Sequence, residues 1–369
     1  MRKLLSLYIV TLGLAHFGWM GPLRYIIISA VISAILMIEG RVFISRNYSY
    51  NVGGLLLVGS GLYASITMNV PMSYAYVLFM SINILILPGL TKYKLTRRHM
   101  MYIALYFSIT LLHIVFLNNI DRDNWYGNSN NYATVILCSA YFSILAFSKK
   151  PIKQLLTIPL FLTLMFISAS RTQLAGLLGF YLLYFGQTYI LRVHFRRLIF
   201  FGVVGMFVLY GTLITGDPFG IIGVVQENTI GHKSYRGLSY RDVLFFISVD
   251  IVRNYPFGVG WSEAGYYIYD YFGETLSPHN TYMKVAVEGG ILALVGFLLM
   301  HMGMIYRAAT PLVSSFMVAM VLRALFESST PMTLSLVSAM LFLPFFLNER
   351  TVTESERPGS PDLMPKLAF

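Results

Sequence analysis

The run Tyr282 to Ile305, YMKVAVEGGILALVGFLLMHMGMI, is 24 residues long and carries two charges, Lys284 and Glu288, both in its first third. At 1.5 Å per residue, a helix of this length covers the ~30 Å hydrocarbon core of a bilayer. Working outward, comparable apolar runs recur from Leu4 to Leu347, at 4–20, 22–38, 52–70, 72–90, 100–117, 132–148, 152–168, 173–191, 198–215, 282–305, 310–327 and 330–347. They predict an all-α, polytopic membrane protein with about 12 transmembrane helices. Residues 1–347 form a single integral membrane domain in this reading. The tail at 348–369, rich in Pro, Ser, Glu and Arg, is expected to be a flexible cytoplasmic end.

The composition agrees. The 369 residues are 56% hydrophobic and 12% charged, with a mean hydropathy of +0.66, too little polar surface to cover a soluble globule of this size. One cysteine, Cys138 inside an apolar run, excludes an intramolecular disulfide and argues against a Cys-based metal or redox site. The net charge of +11 suggests nucleic acid only if the chain is soluble. With the N-terminus in the cytoplasm, eighteen of the 27 Lys and Arg fall on the inner side, around 2–3, 41–46, 92–98, 149–153, 192–197, 307 and 350–366. That is the positive-inside pattern, with both termini cytoplasmic, and it removes the need for a nucleic-acid partner. No small-x-small cleavage site follows Leu14 to Met20, so the first run is expected to stay as an uncleaved span.

Two stretches lie outside the lipid on the outer side, Asn118 to Asn131 and about 216–281. Loops of this length are usually functional. Within the second, Tyr240 to Arg253 (YRDVLFFISVDIVR) predicts an amphipathic helix at the membrane surface, ended at Tyr255-Pro256 because proline disfavours helix in the residue before it. No internal repeat is visible, which weakens an inverted-repeat transporter reading.

Ionisable groups on the outer side owe nothing to cytoplasmic retention, and one at membrane depth requires about 2.5–3.5 kcal/mol of compensation. They are Arg171 in the short connection Ser168 to Thr172, Arg236 and Arg241 flanking the start of the amphipathic helix, His279 in Pro278-His279-Asn280, Glu288 in the span 282–305, and Arg323 and Glu327 in the span 310–327. Arginine grips pyrophosphate with two parallel hydrogen bonds and stays charged; the competing reading for each is a snorkelling or salt-bridged side chain, and Arg323 and Glu327 can pair with each other. His279 can take a proton from a hydroxyl near neutral pH, or be a hydrogen-bonded structural histidine. His16, His99, His113, His194, His232 and His301 show how readily the residue occurs without an evident role. Asp121-Arg122-Asp123 could hold a divalent cation, but solvated loop acids are the better reading, since Arg122 offsets their charge. The run Tyr266 to Tyr271 reads as a saccharide-binding surface or as an aromatic membrane-interface belt.

Taken in order, Arg241, Pro256-Phe257-Gly258-Val259-Gly260, His279-Asn280 and Glu288-Gly289-Gly290 form a pattern in one outer loop of a many-span chain. The sequence thereby resembles the O-antigen polymerase and ligase family over roughly Gly127 to Glu327. Ser170-Arg171-Thr172 is similar to the family's Ser-Arg-Thr/Gly at a span start. Gly127-Asn128-Ser129-Asn130 with Ala133 is similar to its Gly-Asn-Pro-Asn-x-x-Ala, with serine in place of proline. The resemblance implies an undecaprenyl-pyrophosphate-linked glycan donor, a glycan acceptor, and no metal, nucleotide or other cofactor. It makes Arg171 and Arg241 the pyrophosphate clamp and His279 the residue acting on the acceptor hydroxyl. Arg236, Asn280, Glu288, Asn130 and Arg323 complete the expected substrate site, with Asn280 orienting His279 or capping the next helix and Glu288 positioning His279 or Lys284.

The expected location is the bacterial inner membrane, amid membrane lipids and beside a chain-length regulator and a flippase. Polymerisation of repeat units is preferred to ligation onto lipid A core, because the chain is compact and the loop carries the tyrosine run. Two further classes compete: a metal-dependent transferase using Asp121 and Asp123, and a flippase or other transporter. Clustering of the charges at one face argues against the transporter.

Overall fold

The computed structural model describes residues 2–14, 23–39, 45–89, 95–96, 98–105, 129–147, 150–167, 171–190, 241–273, 276–308, 310–327, 340–346 and 352–353, with isolated positions between 197 and 212. Its main elements are helices: α1 (Arg2–Leu14), α2 (Leu23–Glu39), α3 (Tyr48–Thr67), α4 (Pro71–Ile86), α5 (Ser129–Ala146), α6 (Pro151–Ile167), α7 (Arg171–Phe185), α8 (Arg241–Asn254), α9 (Ala264–Phe272), α10 (Thr281–Tyr306) and α11 (Pro311–Phe326). A π-helical turn, Gly186–Ile190, extends α7. One two-residue parallel ladder pairs Leu95–Thr96 with Val352–Thr353, joining two segments that the charge pattern puts on the same, inner side.

The helices are packed with their small and polar residues inward. On α3 the buried positions include Gly53, Gly54, Ser60, Gly61, Ala64 and Ser65, while Val52, Leu55, Leu62 and Ile66 face out. Asn83, Gln154, Gln173, Gln187, His301 and Arg323 are buried, whereas Phe166, Leu182 and Ile190 are more than 70% exposed. The buried polar groups lie beside a core of large apolar side chains such as Phe142, Phe180, Phe297 and Trp261, and so much bare apolar surface would be unfavourable in water. In hydrocarbon it is expected, because lipid tails solvate leucine as well as a core does, and helices associate through small residues and internal hydrogen bonds.

The tightest helix pair shows how. α3 and α10 run antiparallel, with Ser49 beside Gly303, Gly53 against Gly296 and Ser60 beside Gly289. The three glycines of α10 recur every seven residues and so share a face. A Cβ added at Gly296 would stand 2.5 Å from the Gly53 carbonyl oxygen, so only glycine permits this backbone approach. At the other end of α10, His301 stacks on Phe342 at 4.8 Å and its Nε2 pairs with the Leu341 carbonyl at 3.2 Å.

Element edges moved by a few residues from the expected spans. α3 starts at Tyr48, four residues early, because Asn47 caps it by accepting from the Tyr50 N–H. α5 starts at Ser129, so Ser129 and Asn130 belong to its first turn. Ser129 stands at the first helical position, where proline is well tolerated. The amphipathic helix expected at 240–253 is α8, and the tyrosine run is not a loop but the helix α9. Among the described residues, α10 alone is both long and apolar enough to cross a bilayer; Pro71–Ile86, Ala133–Ala146, Pro151–Phe166 and Pro311–Leu325 are shorter apolar helices. Most of the expected spans at 198–215 and 330–347, the loop acids Asp121 and Asp123, Arg236, His232 and nearly all of the tail lie outside the described residues.

Candidate active site

The glycine motifs of the long loop build a break in α10. Gly290 has φ +84°, which interrupts the helix about one third of the way along. The carbonyls released there are taken up from outside: Val287 O accepts from Val259 N–H at 2.9 Å, Glu288 O from Gly260 N–H at 2.9 Å, and Gly289 O from the Ser60 hydroxyl at 2.6 Å. Ile291 N–H, deprived of its usual acceptor, donates to Pro256 O at 2.9 Å. Irregular backbone at membrane depth is tolerated only when its polar groups are met in this way. Gly258 (φ +90°) interlocks with the break, since a Cβ on it would lie 2.6 Å from both Glu288 O and Gly290 N. Trp261 wedges in behind, its indole over Gly61 and Gly289 and its backbone N–H donating to Ser73 Oγ at 2.7 Å. Ser73 Oγ in turn hydrogen-bonds Ser65 Oγ, which donates to Gly61 O.

Glu288 is buried in this knot. Its Oε1 lies 3.7 Å from Lys284 Nζ, one turn earlier, and its carboxylate faces the backbone N–H groups of Ser262 and Ala264 at the start of α9. A carboxylate there meets free amides at the positive end of a helix. Lys284, one of its two expected partners, is the cation beside it.

A second constellation forms at one end of the bundle. Arg323, buried on α11, donates from Nε to Thr134 Oγ1 on α5 at 2.8 Å, and Gln173 Nε2 on α7 reaches the same oxygen at 3.3 Å. Glu327 supplies an attractive countercharge to Arg323. From the last turn of α11, Leu325 O accepts from Asn280 Nδ2 at 2.9 Å and Glu327 O accepts from the Thr281 hydroxyl at 2.6 Å. Asn280 also caps α10, its Oδ1 accepting from Met283 N–H at 3.0 Å. These bonds tie the N-termini of α5, α7 and α10 to the C-terminus of α11. All four are ends that the charge-derived topology assigns to the outer side. The positive ends of three helix dipoles thus meet the carbonyl end of a fourth.

The expected site residues fall on this frame as follows. Asn130 lies in the first turn of α5, four residues before Thr134; Arg171 is the first residue of α7, two before Gln173; Arg241 is the first residue of α8. His279 immediately precedes the cap of α10, half-buried, with φ +50°, a left-handed conformation rare for a residue with a side chain. α8 packs with α9, the Gly258 loop and the first turns of α10 around Leu244, Val252, Val259, Ile268, Met283 and Val287. Among the described residues, no group of three or more His, Cys, Asp or Glu is placed to hold a metal ion. Sequence reasoning passed over Thr134, Gln173, Ser60, Ser73 and Trp261. Gln173 was open to notice, as an amide in an apolar run two residues from Arg171.

Residues 156–298 match a family model described as O-Antigen ligase, in agreement with the resemblance to an O-antigen ligase/polymerase-like family. The members of that family are membrane-embedded, glycan-transferring enzymes, and the match lends nothing to the flippase reading. The matched stretch includes Arg171, Arg236, Arg241, His279, Asn280 and Glu288, while Asn130 and Arg323 fall outside it. None of the curated proteins and none of the solved structures matches the chain.

Proposed function

We infer that this chain joins lipid-linked glycans on the outer face of the bacterial inner membrane, by inverting transfer from undecaprenyl pyrophosphate, and that its acceptor is another lipid-linked repeat unit. The observation that carries this is the convergence of the N-termini of α5, α7 and α10, bearing Asn130, Arg171 and His279-Asn280, within a chain whose 156–298 match a glycan-transferring family. His279 takes the proton of the acceptor hydroxyl, whose oxygen attacks the anomeric carbon. The new glycosidic C–O bond forms as the C–O bond to pyrophosphate breaks, and the electron pair leaves with undecaprenyl pyrophosphate. Arg171 and Arg241 neutralise the charge gathering on that leaving group, a term worth about 3–4 kcal/mol per donor in comparable sites. Asn280 holds the histidine's backbone at the helix start through its two hydrogen bonds.

The acceptor is decided by experiment. The protein in nanodiscs is given undecaprenyl-pyrophosphate-linked repeat units alone, then with lipid A core added. A ladder of lipid-linked polymers from the first mixture is the expected result. Product only in the second mixture, on the core, would make the chain a ligase.

A further inference from the structure

Helix α9 has a bound face and a bare one. Ala264 and Ile268 are buried against α8 and α10. Tyr267 packs edge-to-face on Tyr255, with ring centres 5.0 Å apart, and Tyr271 donates its hydroxyl to Asp250 Oδ2 at 2.6 Å, a carboxylate that Asn254 Nδ2 also reaches at 3.5 Å. That bond to Asp250 holds the Tyr271 hydroxyl protonated, its pKa raised above the ordinary tyrosine value. With the helix so oriented, Tyr266 and Tyr269 point outward, 66% and 52% exposed, Asp270 is exposed beside them, and Tyr271, tethered by its hydroxyl, is still 51% exposed at the edge. Residues three apart on a helix are neighbours, roughly 5–6 Å between Cβ atoms, so the two rings form one aromatic surface.

Charge selects the occupant. Glu263 and Asp270, three residues before and four after Tyr266, share its side of α9 and Asp250 stands at the edge, while α8 carries Arg253 in its last turn and Arg241 with Asp242 at its far, first turn. The patch is acidic on a protein of net charge +11. Anionic lipid head groups are repelled by it, as are acidic sugars. A sugar ring without negative charge fits: its C–H face lies on a tyrosine ring, and its hydroxyl or amine hydrogens meet carboxylate and phenol oxygens. From Gly273, the left-handed cap of α9, the chain reaches His279 in six residues, at most about 20 Å of extended backbone.

We propose that the outward face of α9, Tyr266, Tyr269 and Asp270 with Asp250 at its edge, is a platform that binds uncharged or amine-bearing sugar units of the glycan and rejects acidic ones. This rests on the glycan-transfer reading for the identity of the ligand class. The test titrates the full-length protein in neutral-lipid nanodiscs with maltoheptaose, chitosan hexamer and hexagalacturonate, followed by saturation-transfer NMR. The first two should bind and the acidic oligomer should not. Tyr266→Ala and Tyr269→Ala should each weaken binding about tenfold, the size of one lost aromatic contact, while Tyr266→Phe keeps most of it. Asp270→Asn should admit hexagalacturonate. Unchanged binding in both alanine variants, equal binding of all three oligomers, or no binding of the neutral one overturns the platform. So does strong quenching of Tyr269→Trp by brominated acyl chains, which would make the face a membrane belt. His279→Ala should bind maltoheptaose normally. If that variant also turned over normally while the tyrosine variants lost binding, the platform would stand and the catalytic reading would fall.

Discussion

His279 carries two distinctions at the scale of a single residue: it is the half-buried ionisable group next to the cap of α10, and its backbone is left-handed. Strain of that kind is retained only where the surroundings over-determine it, here by Asn280 with its bonds to Met283 and Leu325. If the imidazole is the base, His279→Ala lowers turnover by about 10²- to 10⁴-fold and leaves donor binding intact. Arg171→Ala and Arg241→Ala instead weaken donor binding, and lysine at either position rescues only in part, since a point charge cannot reproduce the guanidinium fork. Measuring donor affinity and turnover separately, in membranes with equal insertion of each variant, distinguishes the roles. Near-normal turnover in His279→Ala removes the base from the mechanism, and unchanged affinity and turnover in both arginine variants removes the clamp. Chelation adds a further check. With arginine meeting the pyrophosphate, activity of the purified protein should survive EDTA; loss restored by Mg²⁺ would point back to Asp121 and Asp123.

Among the elements, the decisive one is the broken α10. The last three carbonyls before its break, on Val287, Glu288 and Gly289, are met by the Gly258 loop and Ser60, and the helix begins two residues after His279. Gly290→Ala places a Cβ 2.5 Å from the Phe257 carbonyl carbon in a left-handed backbone, and should destabilise the protein by about 2–5 kcal/mol. Ser60→Ala removes one hydrogen bond and should destabilise by only about 1 kcal/mol. Thermal unfolding in detergent orders the two. Equal, small shifts would mean that the break is not a structural hinge-pin of the site. The Pro-x-Gly-x-Gly and Glu-Gly-Gly motifs thus serve geometry: they let two backbones interlock where any side chain would collide.

For the whole molecule, the relation between charge and packing gives a test of orientation. The ends gathered by Thr134, Gln173, Arg323 and Asn280 are those that the lysine and arginine count assigns to one side, while Leu95 and Val352 pair on the other. Single cysteines at 232, 149 and 353, with Cys138 replaced, should therefore react with an impermeant maleimide in intact cells at 232 only. Labelling at 149 and not at 232 would invert the scheme and move the site to the cytoplasm.

What the sequence determined by itself were properties that accumulate locally. Helical class and membrane solvent follow from runs of apolar residues, and sidedness is inferred from flanking charge, both summed along the chain. Arg171, Arg241 and His279 stood out as charged or titratable groups on the side where topology did not require them. The tertiary structure alone decided what those groups stand on. The partners of the α10 break come from Ser60 and from Pro256 to Gly260, Thr134 joins Gln173 and Arg323, and Glu288 faces the start of α9. Such contacts link residues far apart in the chain, so they leave no periodic trace in it. α9 was illegible for a related reason: nine residues with five aromatics carry too short a pattern to separate a helix from a loop, and only its packing on α8 shows which tyrosines are left bare.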